Sequence, residues 1–148
     1  MAAVYLIFQR TPTLDVLHVA AVLRMDAIKK IIASNDKKTR SALKEFLIAN
    51  EGFHSWPDRR KAIRVVNEFH SLIGALSGNT ALALFMDVIP SFGSRSESLT
   101  FTQSRLQEYG ALIWELAIAI ERGDAKKAQR MAEAEYETSM SWFQKSRD

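Results

Sequence analysis

Apolar residues recur every three or four positions along most of this chain, the period of helices that bury one face. A first helix is predicted over about 13–34, with Thr13 as its cap after Pro12 and Leu14, Leu17, Ala21, Met25, Ile28 and Ile32 on its inner face. Residues 1–12 read as an irregular lead-in. Asp36 caps a second helix reaching about residue 48, with Leu43, Phe46 and Leu47 inside and Gly52 marking its end. Ser55 and Pro57 signal the start of a third, where Ala62, Val66, Phe69, Ile73 and Leu76 alternate at spacings of four and three.

Gly78 stops that helix and Asn79 caps the next. Residues 82–89 are apolar nearly all round, which predicts a central helix ended by Pro90. The Ser-, Thr- and Gly-rich stretch 91–103 is the one long loop. Ser104-Arg105-Leu106-Gln107 resembles a capping box, and Leu106, Tyr109, Ile113, Leu116 and Ile120 then form the cleanest stripe in the chain. Gly123 closes it. Asp124 caps a final helix to about residue 143, with Ala128, Ala132, Glu135, Ser139 and Trp142 along one seam. The expectation is an all-α fold, an antiparallel bundle of about six helices forming one domain over 13–148.

Composition narrows this only a little. At 148 residues the chain can bury a substantial core, and 6 Gly with 3 Pro are too few for a β meander. A formal charge of +3 is a matter of solubility more than a nucleic-acid footprint. The absence of Cys excludes disulfides and Cys-ligated metal sites, and fits a cytoplasmic protein. No run approaches the roughly 20 apolar residues of a membrane span, so no membrane association is expected.

Two residues break the apolar pattern. His70 stands one turn after Val66 on a face bordering the third helix's stripe, so it points inward or sits at a helix interface. Such a histidine is either a hydrogen-bonded core residue or a ligand contact. Glu135 falls among small residues on the last helix's seam. Either the seam is shallow and the carboxylate reaches water, or it is buried and needs a partner, for which His70 is the natural neighbour. Glu51-Gly52-Phe53-His54 is a single Glu-x-x-His at a Gly-broken helix end, half of what a di-iron bundle uses. Arg59, Arg60, Lys61 and Arg64 beside Trp56 read as a solvated helix start. Trp114, Trp142 and Phe143 read as candidate interface residues, and Met25, Phe85 and Met86 as core. No Ser/His/Asp series or Gly-rich phosphate loop points to an enzyme.

The order and spacing of Phe69-His70, Gly78-Asn79, Ala119, Gly123-Asp124 and Ala128 resemble the C-terminal effector-binding (FCD) domain of the FadR subfamily of GntR-type transcription regulators. The resemblance covers about 14–143. It implies that the four metal-ligand positions of metal-binding members fall here on Val66, His70, Ile113 and Glu135, two of which cannot ligate. A metal ion is therefore not expected, although a weak divalent site at His70 and Glu135 stays open. The resemblance further implies a homodimer that binds a small-molecule effector of carboxylate or acyl type, through His70, Glu135, Val66, Ile113 and Asn79. DNA would be bound only through a winged helix, which nothing before Thr13 could form; the chain then reads as an isolated effector domain or a stand-alone relative. The competing reading is a helical dimerisation or interaction module without a ligand pocket.

Overall fold

The computed structural model describes residues 13–89 and 102–145, which hold six α-helices and no strand. These are α1 (Thr13–Ser34), α2 (Lys37–Ala49), α3 (Arg59–Leu76), α4 (Thr80–Val88), α5 (Gln103–Glu121) and α6 (Ala125–Lys145). A 3₁₀ turn, Phe53–Ser55, stands between α2 and α3. The predicted lead-in, Pro90 and the long loop up to residue 101 lie outside the described residues, as do the side chains of Leu14 and Phe143.

Side-chain caps fix most helix starts, because the first N–H groups of a helix have no partner within it. The Asp36 carboxylate accepts from the Thr39 N–H at 2.7 Å, Asn79 from Leu82 at 3.1 Å, and Asp124 from Lys127 at 2.9 Å. Two predicted starts shift. Asp58 caps α3 through the N–H groups of Arg60 and Lys61, because Ser55 is taken up by the 3₁₀ turn and Pro57 by the connection. Thr102 caps α5 by accepting from Arg105 at 3.2 Å, which leaves Ser104 already inside the helix.

The turn from α5 to α6 accounts for the Ala119, Gly123-Asp124, Ala128 spacing. Gly123 has φ +73°, its N–H bonds to the Ile120 carbonyl, and the Asp124 N–H reaches back to Ala119. That is a Schellman ending, in which glycine takes the left-handed position at least cost. Ala119 and Ala128 are each 1% exposed, so small side chains let the two helices close on each other directly after the turn.

Helices α1, α6, α5 and α3 form a closed ring in which each packs on the next and α3 returns to α1. α2 and the 3₁₀ turn cover α5 from outside, and α4 leans on α3. The expectation of a central α4 is therefore corrected: Leu84 is 64% exposed, and only Leu82 and Met86 of this short helix, with Ile89 just after it, are buried. The inner face of α1 is also rotated from the predicted one. Val16, Ala20, Ala21, Arg24, Ala27, Ile28 and Ile31 are buried, while Leu17, Met25 and Ile32 are only half-buried.

Candidate functional site

Each helix of the ring sends a polar side chain into the same place: Arg24 from α1, His70 from α3, Tyr109 from α5, and Glu135 with Ser139 from α6. Local sequence explains how. Arg24 continues the Ala20–Ala27 stripe of α1, where small neighbours leave room for a guanidinium. Glu135 and Ser139 lie one turn apart and follow Ala128 and Ala132 on the α6 seam. Tyr109 is on the α5 stripe, one turn before Ile113.

Glu135 is fully buried, and one of its oxygens takes most of the contacts. Oε1 accepts from Arg24 Nε at 2.8 Å, lies 2.6 Å from Arg24 Nη2, and also accepts the Tyr109 hydroxyl. Arg24 Nη2 also stands 3.5 Å from Ser139 Oγ. On the other side, His70 Nε2 is 3.0 Å from the Tyr109 hydroxyl. Because the phenol proton is given to Glu135, Nε2 must be the protonated nitrogen of His70 and donates to the phenol oxygen. Glu135 Oε2 is buried without a hydrogen-bond partner among the described residues. Trp142 closes the seam from the C-terminal end of α6, its ring 5.4 Å from that of Tyr109, with the Arg105 guanidinium 5.6 Å from the Trp142 ring.

The electrostatics follow from burial and from one close pair of charges. Burial opposes the charge on Arg24, but the Glu135 carboxylate and the Tyr109 oxygen together outweigh it and hold the guanidinium pKa above its ordinary value. Burial, helped by the positive charge of Arg24, pushes the His70 pKa well below the usual histidine range, so the imidazole is neutral at pH 7. Burial likewise raises Tyr109 well above the usual phenol range. The seam thus contains one compensated ion pair, one neutral imidazole and one intact phenol.

The residues singled out from sequence distribute as follows. Val66 and Ile113 are fully buried in the apolar core, and His70 keeps part of its surface exposed. Glu135 is buried, but His70 is not its direct neighbour, since Tyr109 stands between them. Asn79 is exposed at the start of α4, where its side chain serves as the cap. Trp142 is 6% exposed and packs inward, while Trp114 lies half-buried against Phe53 and His54. Glu51 is exposed, and His54 sits partly buried on the 3₁₀ turn. Arg24 and Tyr109 are the site residues that sequence reasoning missed. Tyr109 was read as plain core. Arg24 had a visible signal: it falls on the spacing Ala20, Arg24, Ala27, Ile31, a charge on a small-residue stripe.

The structure is a ring of four helices braced by one buried polar seam. The profile described as FCD domain matches residues 15–137, and the chain belongs to that family, the effector-binding domain of GntR-family transcription regulators. Comparison with curated proteins and with solved structures gives no significant match. No helix among the described residues is long and apolar enough to cross a membrane.

The metal ion held by some members of this family does not fit these residues. Val66 and Ile113 offer no donor atom, and His70 Nε2 is engaged with Tyr109. Glu135 Oε1 is occupied by Arg24 and Tyr109, which leaves Oε2 as one free donor where at least three are needed. Among the described residues no group of three or more His, Asp or Glu side chains could hold a metal.

Proposed function

We propose that this chain binds a small metabolite at the Arg24–Glu135–Tyr109–His70 seam and dimerises, as the effector-sensing part of a GntR-type transcription regulator. The observation that carries the reading is Glu135 Oε2, a buried carboxylate oxygen without a partner among the described residues, at the meeting point of four helices. Leaving such a group unsatisfied is costly, and a ligand that donates to it recovers that cost. The Arg24–Glu135 pair is already neutral, so an effector carboxylate enters by exchange: it takes the guanidinium, and Glu135 turns to a donor on the ligand. A ligand carrying a carboxylate next to a hydroxyl or ammonium group serves both partners. Such exchange gives the liganded domain a different set of helix contacts, which is the differential affinity that sensing requires.

Native mass spectrometry of protein purified without added ligand tests this. A dimer retaining a small metabolite, lost in Arg24→Met, supports the reading. An effector-free protein that also fails to bind any of a panel of hydroxy- and amino-carboxylates at millimolar concentration overturns it.

A second reading is favoured by a different observation. The four polar groups already bond to one another directly, and Val66 and Ile113 are packed in the core, as expected of a domain that has closed its pocket and serves only to dimerise. Dimerisation without any ligand uptake would select it.

A further inference from the structure

We infer that the Arg24 guanidinium is the fixed counter-charge of the buried Glu135 carboxylate, so this domain holds its core without a metal ion, and that it ties α1 into the site. A carboxylate with no exposed surface needs a compensating positive charge within contact distance. Two guanidinium nitrogens supply it at 2.6 and 2.8 Å from the same oxygen of Glu135. Arg24 is itself 5% exposed, so its charge is scarcely screened by water, and its ion pair is with Glu135.

The arrangement also excludes a second cation. An ion approaching Glu135 Oε2 would share one carboxylate with Arg24 and face its positive charge in a medium that screens weakly. The imidazole that could help is turned towards the Tyr109 hydroxyl, and burial first, then the Arg24 charge, disfavours a positive charge there.

Where the counter-charge comes from matters mechanically. The positions the resemblance assigns to a metal lie on α3, α5 and α6 only. Arg24 instead reaches in from α1, so the pair joins α1 to α6 and, through Tyr109 and His70, to α5 and α3. Any event at Glu135 is thereby felt by the first helix of the domain. This does not depend on effector binding, because a scaffold with no ligand would need the same counter-charge.

The test uses the full chain purified without added metal. Elemental analysis is expected to find well under 0.1 divalent ion per chain, and neither a chelator nor added Zn²⁺ or Ni²⁺ should move the melting temperature by more than about 1 °C. Breaking a buried pair leaves an uncompensated charge, so Arg24→Met should melt roughly 10 °C lower. Glu135→Gln added to Arg24→Met should recover more than half of that loss. A near-stoichiometric metal in the wild-type protein, or a fall in melting temperature on chelation, would overturn the inference. So would a double variant that melts no higher than Arg24→Met. Should Arg24→Met fail to fold, the metal and chelator measurements on the wild-type protein decide the matter alone.

Discussion

Acidification from pH 7 to pH 5 should cost this fold stability through His70. The group is held neutral in the folded state because burial and the Arg24 charge both disfavour the imidazolium. In the unfolded chain it titrates near 6.5. Below that pH the unfolded state binds more protons than the folded one, so unfolding free energy falls as pH falls. The stability is fully present above about pH 6.5 and is lost progressively until the folded pKa is reached. Each pH unit in that window is worth at most about 1.4 kcal/mol, so the drop from 6.5 to 5 is bounded at roughly 2 kcal/mol. That is a sizeable part of the roughly 5–15 kcal/mol available to a domain. Burial is the larger cause and the Arg24 charge acts in the same direction, while the Glu135 carboxylate beyond Tyr109 is paired with Arg24. Urea unfolding followed by circular dichroism between pH 5 and 7.5 measures the effect. His70→Gln is the reference, because its amide N–H can still donate to the Tyr109 oxygen while carrying no titratable proton. The wild-type curve should fall below the variant's on acidification, by no more than roughly 2 kcal/mol at pH 5. Parallel curves, or a wild type that gains on the variant in acid, would refute the assignment of a neutral, part-buried imidazole.

Other perturbations read different parts of the molecule. Tyr109→Phe removes the hydroxyl that bridges Glu135 and His70, and should cost about 2 kcal/mol in urea unfolding; a loss under 0.5 kcal/mol would mean that water replaces it freely. Gly110→Ala would put a Cβ 2.8 Å from the His54 Cβ and 3.2 Å from the Phe53 ring, pushing the 3₁₀ turn off α5. A loss of about 1–3 kcal/mol is expected, and an unchanged midpoint would show that the turn moves without cost. Leu84→Gln, on a side chain 64% exposed, should stay within about 0.5 kcal/mol, unless a partner covers that face in solution.

Periodicity made most of the bundle legible because caps and stripes are local. Asp36, Asn79 and Asp124 cap the helices predicted for them, the α5 stripe is buried as expected, and the α3 stripe is buried from Ala62 to Ile73 with Leu76 only half-buried. The errors arose where tertiary packing overrode local pattern. α4 is apolar on most sides, yet a nine-residue helix leaning on α3 cannot bury all of them, so Leu84 faces out. The α1 face was misplaced for a more instructive reason. Choosing Met25 over Arg24 assumes that charge stays outside, and here it does not. Glu135 was visible as an anomaly because its helix has few other buried polar groups. Its true partner was not, since the two are 111 residues apart and only the ring of helices brings them together. Tyr109 escaped notice because a tyrosine on a stripe looks like any other large core residue until its hydroxyl finds a carboxylate.

The seam is poorly explained by stability alone. Desolvating a guanidinium and a carboxylate costs about as much as their attraction returns, and an apolar pair of similar volume often does better. What the polar seam adds is connection: one carboxylate contacts α1 and α5 directly and α3 through the phenol, while the fully buried Val66 and Ile113 remain part of the apolar core whatever happens to it. If an effector takes Arg24 from Glu135, the tie between α1 and α6 loosens, yet the aliphatic contacts of α3 and α5 persist. The loss is then greatest between α1 and α6, the two helices the ion pair joins. A symmetric apolar core would give no such preference, because losing one contact there shifts no charge and leaves no unsatisfied group to drive the rearrangement. On this argument the triple variant Arg24→Met, Glu135→Leu, Tyr109→Phe should be at least as stable as the wild type in urea unfolding, and a triple variant that is clearly less stable would mean that the seam is structural after all.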